Sequence, residues 1–214
     1  MMKIISAVLL LTVASCSNEK SSVGHTAADS VTPQENQNDK TIPEPAKLTK
    51  QDSLRNINQD VLNALKLKDY SRFAAFIHPQ KGVRFSMYGY VRPETDKHFS
   101  RAEFLKYIDN PTLFTWGEKD GTGDKYVISM KNYLVNWVFK RDYTQSDFYL
   151  NEFKGTGNSL NNLQKIYPNA DFTENYIAGS EKYAFMDWNA LRLVFEKFEG
   201  KYFLIAVVND QWTI

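Results

Sequence analysis

The stretch ALRLVFEKFEGKYFLIAVV, residues 190–208, decides the fold of this chain. Large apolar side chains occupy every second position from Leu191 to Phe195, which is the period of a half-buried β-strand. Glu199-Gly200 is typical of a tight turn, and residues 201–208 form a continuous apolar run. These three parts together predict a β-hairpin near the middle of a sheet.

Helical patterns precede this hairpin. Apolar residues recur at helical spacing between residues 49 and 68, and a second short helix is expected to end at Pro79. Ser100 and Glu103 form a capping box before a third apolar run. Helices that come first and antiparallel strands that follow predict an α+β fold, with N-terminal helices packed on a curved, mainly antiparallel sheet. This arrangement resembles the NTF2-like cone.

Shorter elements fill the middle of the chain. Strands are expected at residues 82–91, 112–116, 125–129, 145–153 and 170–178, and a short helix at 158–168. The sequence DGTGD (120–124) lies between two of these strands and carries two carboxylates. A calcium loop needs more oxygen ligands in a defined order, so a hairpin turn is favoured there.

The first sixteen residues have the form of an export signal. Lys3 is followed by the apolar residues 4–14, a run of the length found in signal peptides and too short to span a membrane. The ending VASC, which contains the only cysteine, resembles the lipobox of bacterial lipoproteins. The resemblance implies a signal peptide at residues 1–15 and a lipid on Cys16. Ser17, in place of an aspartate, favours the outer membrane if the cell has one.

Residues 16–48 have the composition of a disordered tether behind the lipidated cysteine. They contain no Phe, Tyr or Trp, and polar residues and prolines dominate. Composition then changes abruptly, which predicts a single globular domain at residues 49–214. With Cys16 lipidated, no thiol remains for a disulfide, a nucleophile or a metal site. The formal net charge of +1 gives no long-range field for nucleic acid, so that partner is not expected.

Three blocks carry a family resemblance. They are HPQKGVRFSMYGYV (78–91), FTWGEKDGTGD (114–124) and MDWNALRLVFEKFEGKYFLIAVVNDQWTI (186–214). They resemble the recurring blocks of an uncharacterised family of secreted or lipid-anchored bacterial domains. The resemblance covers roughly residues 55–214. It implies a shared fold and export, and it implies no catalytic role.

Two arginines stand inside apolar strands and define a candidate pocket. They are Arg84 and Arg192, and their natural partners are Asp120, Asp187 and Asp210. An arginine in such a place either binds an anion or carboxylate in a pocket or forms a structural ion pair that holds the sheet. The structural pair is the favoured interpretation.

Aromatic residues offer a second candidate surface. A platform for a sugar or peptide is expected from Tyr88, Tyr90, Trp116, Trp188 and Trp212, unless these residues pack in the core. His78 is either a general base or a capping residue at the end of a helix. Three scattered histidines, of which His98 is another, do not predict a metal site, and no cofactor is expected.

Three functions remain open from the sequence. The favoured one is a lipid-anchored cell-envelope protein with a non-catalytic domain that binds an unknown small ligand or an envelope protein. The second is a cone-fold pocket enzyme, a hydrolase or isomerase, that uses an Asp with His or Arg. It predicts His78 or Asp120 deep in a cavity. The third is a structural assembly lipoprotein, which predicts a flat apolar patch and no cavity.

Overall fold

The hairpin predicted from residues 190–208 forms the centre of the main sheet. In the computed structural model, which describes residues 48–158 and 160–214, its strands are Asn189–Phe198 and Lys201–Gln211. Glu199 and Gly200 have φ values of 48° and 80°, the left-handed pair that a tight two-residue hairpin turn requires. The prediction of a central hairpin is confirmed. Cys16, the signal peptide and most of the predicted tether lie outside the described residues.

The main sheet has six strands. In chain order these are β1 (Val83–Ser86), β2 (Lys97–Phe99), β5 (Asp147–Leu150), β6 (Asp171–Ile177), β7 (Asn189–Phe198) and β8 (Lys201–Gln211). Their order across the sheet is β2-β1-β8-β7-β6-β5. Every neighbouring pair is antiparallel except β1 and β8, which run parallel through residues 84–86 and 206–208. The sheet is therefore mixed and mainly antiparallel.

A separate two-stranded sheet carries the DGTGD turn. Its strands are β3 (Leu113–Glu118) and β4 (Lys125–Ser129), which pair antiparallel. The amide of Gly123 donates to the Lys119 carbonyl at 2.9 Å, and both Gly121 and Gly123 have positive φ. Residues 119–124 are therefore a hairpin turn, as expected.

The helices lie mainly before and between the strands. They are α1 (Lys50–Lys66), α2 (Tyr70–Phe76), α3 (Arg101–Tyr107), α4 (Met130–Tyr133), which continues as a π-helical turn over Leu134–Val138, and α5 (Leu163–Ile166). Thr49 begins α1 and Ser100 begins α3, each with a complete capping box. The predicted capping box at Ser100 and Glu103 is confirmed.

The two faces of the main sheet are covered by different parts of the chain. Leu191, Leu193 and Phe195 of β7 point to the face on which α1, α2 and α3 pack, and this side holds the main core. Val194 points to the opposite face, where residues 151–158 and 160–170, the covering segment, lie over the sheet and contribute Leu163 to a second, smaller core. An α+β fold with N-terminal helices on a mainly antiparallel sheet is thus confirmed.

An aromatic cluster fills the main core beside β1. The ring of Phe85, fully buried, lies within 6.0–6.5 Å of five other aromatic rings. They are Phe73, Phe99, Phe104, Trp116 and Tyr133. These rings come from α2, α3, α4, β2 and β3, so Phe85 connects the helices to both sheets.

The predicted lengths of one helix and one strand need correction. The helix expected at 158–168 is only the single turn Leu163–Ile166. The extended stretch expected at 82–91 is a strand only to Ser86, because the Ser86 hydroxyl then donates to the Tyr88 and Tyr90 carbonyls and stabilises a bend. β2 was not predicted, since three residues carry no readable pattern and the strand depends on pairing with β1.

Candidate functional site

A buried ion cluster lies on the sheet face covered by residues 151–170. The side chain of Arg192 is 0% exposed. Its Nε donates to Glu174 Oε2 at 2.6 Å, and its Nη1 lies 2.8 Å from Asp210 Oδ2. Its Nη2 donates to the Gly155 carbonyl at 2.9 Å, and Glu174 Oε1 accepts the backbone N–H groups of Lys154 and Gly155 at 2.7 Å each. These contacts therefore hold the covering segment against strands β6, β7 and β8.

The structure corrects the predicted partners of this arginine. Of the three aspartates considered, Asp210 lies beside Arg192, whereas Asp120 and Asp187 lie elsewhere. Asp187 instead accepts hydrogen bonds from the N–H and hydroxyl of Ser180, and these hold the pKa of its carboxyl below its usual value. The sequence reasoning missed Glu174, although it stands directly opposite Arg192 in the register of β6 and β7.

The larger of two described clefts holds several of the predicted site residues. It has a volume of about 1230 Å³ and lies between the β3–β4 hairpin and residues 86–97. Tyr88, Tyr90, Trp116 and Asp120 all line it, together with Asp96, which the sequence reasoning missed. The cleft is thus built by two loops that the main sheet holds next to each other.

The five aromatic residues of the predicted platform do not lie together in the structure. Tyr90 is 39% exposed and Tyr88 is half-buried, so both offer ring surface to the larger cleft. Trp116 is 2% exposed, because it stacks on Tyr133 with ring centroids 3.7 Å apart. Its ring belongs to the core and reaches the cleft only at its margin.

The other two tryptophans of the proposed platform are not lining residues of that cleft. Trp188 is buried, and an added Cβ on Gly155 would come within 2.6 Å of its ring. Gly157 lies between Trp188 and Trp212. These rings pack against the covering segment, so a single platform of five aromatics does not form.

Asp120 connects the larger cleft to residue 214. Its backbone N–H donates to the Tyr88 hydroxyl at 2.9 Å, and its Oδ2 accepts the N–H of Ile214 at 2.6 Å. Burial raises the pKa of Tyr88, and the hydrogen bond from Asp120 opposes that shift. Asp120 therefore fixes the rim of the cleft and pairs with neither Arg84 nor Arg192.

Asp96 is a second titratable residue whose carboxyl pKa is shifted by its position in the larger cleft. Desolvation raises the pKa of its carboxyl, although the backbone N–H of Arg92, which donates to Oδ2 at 2.8 Å, opposes the shift. Near it lies Tyr133, whose buried hydroxyl has no hydrogen-bond partner among the described residues. In the sequence, Asp96 belongs to a polar run that is typical of a surface turn, so no local pattern indicated this environment.

Arg84 lies in the smaller cleft, which has a volume of about 710 Å³. Its Nη1 donates to the Pro93 carbonyl at 2.7 Å and to the Asp96 carbonyl at 3.3 Å. Residues 92 and 94–97 line the larger cleft and separate it from the smaller one. Arg84 therefore supports this shared wall from the side of the smaller cleft. The expected pairing of Arg84 with Asp120, Asp187 or Asp210 is not found, because its hydrogen bonds go to these carbonyls.

His78 is a structural residue and lines neither cleft. It is buried, and its Nδ1 accepts the backbone N–H groups of Gln80 at 3.2 Å and Lys81 at 3.0 Å. This capping role agrees with one of the two interpretations of the sequence. Burial lowers the pKa of the imidazole; the charge of Glu196 opposes this shift, and the charges of Lys81 and Arg101 add to it.

The lowered pKa of His78 predicts a loss of stability in acid. The unfolded chain binds this proton near its ordinary pKa of 6.5 and the folded chain only at lower pH. The stabilisation is therefore complete above about pH 6.5 and is lost as the pH falls through the folded-state pKa. Urea unfolding between pH 8 and pH 5 should show this decline, and it should be smaller in His78→Asn. The exposed His98→Asn is the control and should keep the wild-type profile, whereas parallel profiles for all three proteins would contradict the assignment.

In residues 48–158 and 160–214, no group of three or more His, Cys, Asp or Glu side chains is arranged to hold a metal ion. Within the same residues, none of the helices combines the length and the apolar character needed to cross a membrane.

Comparison with known proteins gives structural neighbours only. No family model matches the sequence, and no curated protein matches it. One similar solved structure is an NTF2-like designed protein, with 13% identity, a TM-score of 0.32, and coverage of 75% of this chain and 99% of that one. Another is Aln2 from a Streptomyces species, with 10% identity, a TM-score of 0.33, and coverage of 74% and 88%. At these TM-scores the similarity carries no argument about the site, and the resemblance to exported bacterial domains stays a prediction.

Proposed function

We propose that this protein is a lipid-anchored cell-envelope protein whose domain binds a neutral, hydroxyl-rich ligand of the carbohydrate class. The observation that carries the proposal is the larger cleft, in which the accessible rings of Tyr88 and Tyr90 stand beside closely spaced polar groups. Aromatic faces next to a few polar groups are typical of small-molecule sites. A purely structural protein was expected to have no cavity, so the clefts favour binding.

The charges around the larger cleft favour a neutral ligand. Its acidic lining residues are Glu94, Asp96, Glu118 and Asp120, and its basic lining residues are Arg92, Lys97, Lys119 and Lys125. The equal numbers leave no net charge to select an anion or a cation. The guanidinium of Arg92 lies 5.4 Å from the centre of the Tyr90 ring, so it covers one face of that ring and leaves the other for a ligand.

Polar groups inside the larger cleft match hydroxyl groups on a ligand. The Asp96 carboxyl, which is half-buried, can accept a hydrogen bond, and the Tyr88 hydroxyl can donate one. A ligand that fills this cleft replaces the water around these groups with its own hydroxyls. Neutral sugars present such hydroxyls together with an apolar face that packs on a tyrosine ring.

The envelope location rests on the sequence. The run VASC with its cysteine at position 16 supports a lipid anchor, and Ser17 favours the outer membrane if the cell has one. Mass spectrometry of protein purified from a bacterial membrane fraction would show an acylated Cys16 as the first residue. An unmodified, uncleaved N-terminus would contradict the lipid anchor and would leave the binding proposal unaffected.

Thermal unfolding of the full chain with a panel of neutral oligosaccharides tests the binding proposal. A sugar at about 100 times its dissociation constant should stabilise the fold by roughly 2.7 kcal/mol, which raises the melting temperature by about 5–10 °C for a domain of this size. Tyr90→Ala should abolish this shift because it removes the most exposed ring of the cleft. Tyr183→Ala, an exposed tyrosine that is not a lining residue of this cleft, is the matched control and should keep it. No shift with any sugar, or equal loss in both variants, would contradict the proposal.

A second candidate function, an enzyme of the hydrolase or isomerase type, is favoured by one observation. Asp96 is half-buried, desolvation raises its pKa, and the charges of Arg84 and Arg92 lie near it. A carboxyl with a raised pKa can serve as a general acid or base. Turnover of a bound sugar by the wild type, lost in Asp96→Asn while the thermal shift remains, would establish this function, and binding without turnover would exclude it for that sugar.

A further inference from the structure

The loop between β6 and β7, residues 178–188, exposes a compact group of large apolar side chains. Tyr183, Phe185 and Met186 are 52%, 60% and 47% exposed, and all three lie within four consecutive residues. Neither cleft has them among its lining residues. Single exposed apolar residues are ordinary on a protein surface, whereas a contiguous group marks a contact with a partner or a membrane.

The backbone of the β6–β7 loop holds these side chains outward. The N–H of Phe185 donates to the Ser180 carbonyl at 2.8 Å, and the Asp187 carboxylate accepts the N–H and the hydroxyl of Ser180 at 2.6 and 3.0 Å. Ala184 and Phe185 have φ values of 49° and 63°, which side chains of their kind rarely adopt unless the surroundings fix them. An added Cβ on Gly179 would come within 2.2 Å of the Phe185 carbonyl oxygen. The apolar group is therefore presented by a closed, internally bonded loop.

Two basic residues lie beside the base of this loop. The Asp187 carbonyl accepts from the Asn189 side chain at 3.0 Å, Asn189 stands opposite Gln211 in the register of β7 and β8, and the Gln211 Oε1 accepts from the Lys140 amine. Hydrogen bonds lower the pKa of the Asp187 carboxyl, and the charge of Arg141 adds to this shift. Lys140 and Arg141 are therefore close to the loop, although they are more than 40 residues away in the sequence.

The charges of Lys140 and Arg141 have little compensation from the protein. Neither residue forms an ion pair within the described part of the chain, and the Asp187 carboxylate near Arg141 already accepts two hydrogen bonds. Burial and the charge of Arg141 lower the pKa of Lys140 to about 8, as expected for two adjacent cations without an anion between them. Lys182 in the loop is a further exposed cation, and Glu181 beside it is an exposed anion.

The predicted tether is long enough to let this end of the domain reach the membrane. The tether joins α1, whose first residue Lys50 pairs with Asp171 at the start of β6, at 2.7 Å, whereas the loop follows the end of β6. The seven residues of β6 span about 20 Å. The composition of residues 17–48 predicts an average span of about 30 Å for the tether. A lipid on Cys16 is therefore compatible with contact between the loop and the same bilayer.

We propose that the β6–β7 loop docks on a membrane surface that contains anionic phospholipids, with Phe185 and Met186 toward the acyl chains and Lys140 and Arg141 at the headgroup phosphates. Aromatic and apolar side chains flanked by Lys and Arg are typical of segments that lie in the membrane interface. Each cation near an anionic leaflet strengthens such a contact. The inference rests on the proposed envelope location and adds to the lipid anchor a second, reversible contact that orients the domain.

Fluorescence of a dye-labelled full chain mixed with vesicles tests this contact. Cys16→Ser removes the only cysteine and with it the lipid, so Met186→Cys can carry a polarity-sensitive dye at the loop. Vesicles of phosphatidylglycerol and phosphatidylethanolamine should shift the dye emission to shorter wavelength, and vesicles of phosphatidylcholine should shift it much less. Phe185→Ala in the same labelled chain should raise the half-saturating lipid concentration about tenfold, because it removes the most exposed ring of the loop.

The control for the dye is a label at Leu105→Cys. Leu105 is 47% exposed, as Met186 is, and it lies on α3, which follows β2 at the opposite edge of the main sheet from β6 and β5. Its emission should change little with either kind of vesicle. Equal shifts at both labels would mean that the apolar residues 4–14 or general adsorption bring the chain to the vesicles, and they would overturn the proposal.

The control for charge is Lys106→Gln on α3. Arg141→Gln should raise the half-saturating concentration of anionic lipid about fivefold, whereas Lys106→Gln makes the same change of net charge and should leave it unchanged. No shift at the Met186→Cys label, or equal shifts with anionic and neutral vesicles, would also overturn the proposal. Tyr90→Ala should keep the response to vesicles, and acylation of Cys16 is measured separately, so failure of the proposed function and failure of this inference are distinguishable.

Discussion

Replacing Arg192 by leucine is expected to lower the free energy of unfolding by about 3–5 kcal/mol. The guanidinium lies between Glu174 and Asp210 with no exposure to solvent, and its removal leaves two carboxylates in a buried environment without their cation. It also removes the hydrogen bond to Gly155, through which the segment 151–170 is held on the sheet. The loss would be a large part of the stability of a typical domain.

Urea unfolding of the wild type and of Arg192→Leu measures this loss. The matched control is Glu196→Gln, which breaks the ion pair with Lys81 in a position that solvent reaches. Because solvent screens such pairs, this control should cost less than about 1 kcal/mol. A loss of similar size in both variants would contradict the claim that the buried Arg192 contacts hold the covering segment on the sheet.

Replacing Phe85 by alanine should cost about 3–5 kcal/mol as well, for a different physical reason. The ring is fully buried, and five other aromatic rings surround it, from elements that span the helices and both sheets. Deleting it loses the transfer free energy of the ring and leaves a cavity that rigid aromatic neighbours fill poorly. Arg84 and Ser86 flank it on β1, so the walls of both clefts depend on its packing.

The same chemical change at an exposed position is the control for Phe85→Ala. Phe185 is 60% exposed, so Phe185→Ala should change the free energy of unfolding by less than about 0.5 kcal/mol. Calorimetry of the two variants compares them directly. A melting temperature of Phe85→Ala within about 2 °C of the wild type would contradict the large contribution to stability expected of this ring.

The parts of the fold that the sequence predicted are those with local causes. The β7–β8 hairpin follows from alternation and a turn at Glu199-Gly200, and α3 follows from the capping box at Ser100. The pairing of β1 with β8 had no such local signal, because the two strands are far apart in the chain. β2 depends on β1 in turn, which is why its three residues could not be assigned.

The candidate site was predicted less completely because clefts are made by loops. Arg84, Tyr88, Tyr90 and Asp120 each line a cleft, although the sequence offered Asp120 only as a partner for an arginine and placed it in a turn. Asp96 was missed because desolvation by distant residues, rather than its own neighbours in sequence, sets its environment. Arg192 looked like a pocket residue or a structural one, and only the register with Glu174 shows its structural role.

Strand β8 pairs with β7, which is close to it in sequence, and with β1, which is far from it in sequence. This difference affects the order in which the chain folds. β7 is joined to β8 by a two-residue turn, whereas β1 meets it in parallel across more than half of the 214-residue chain. Closing so long a loop costs entropy before any contact compensates for it, so this pairing forms late. Until then the edge of β8 presents unpaired backbone groups that a second chain can pair with. Refolding is therefore expected to be slow, and aggregation during refolding should begin at this edge.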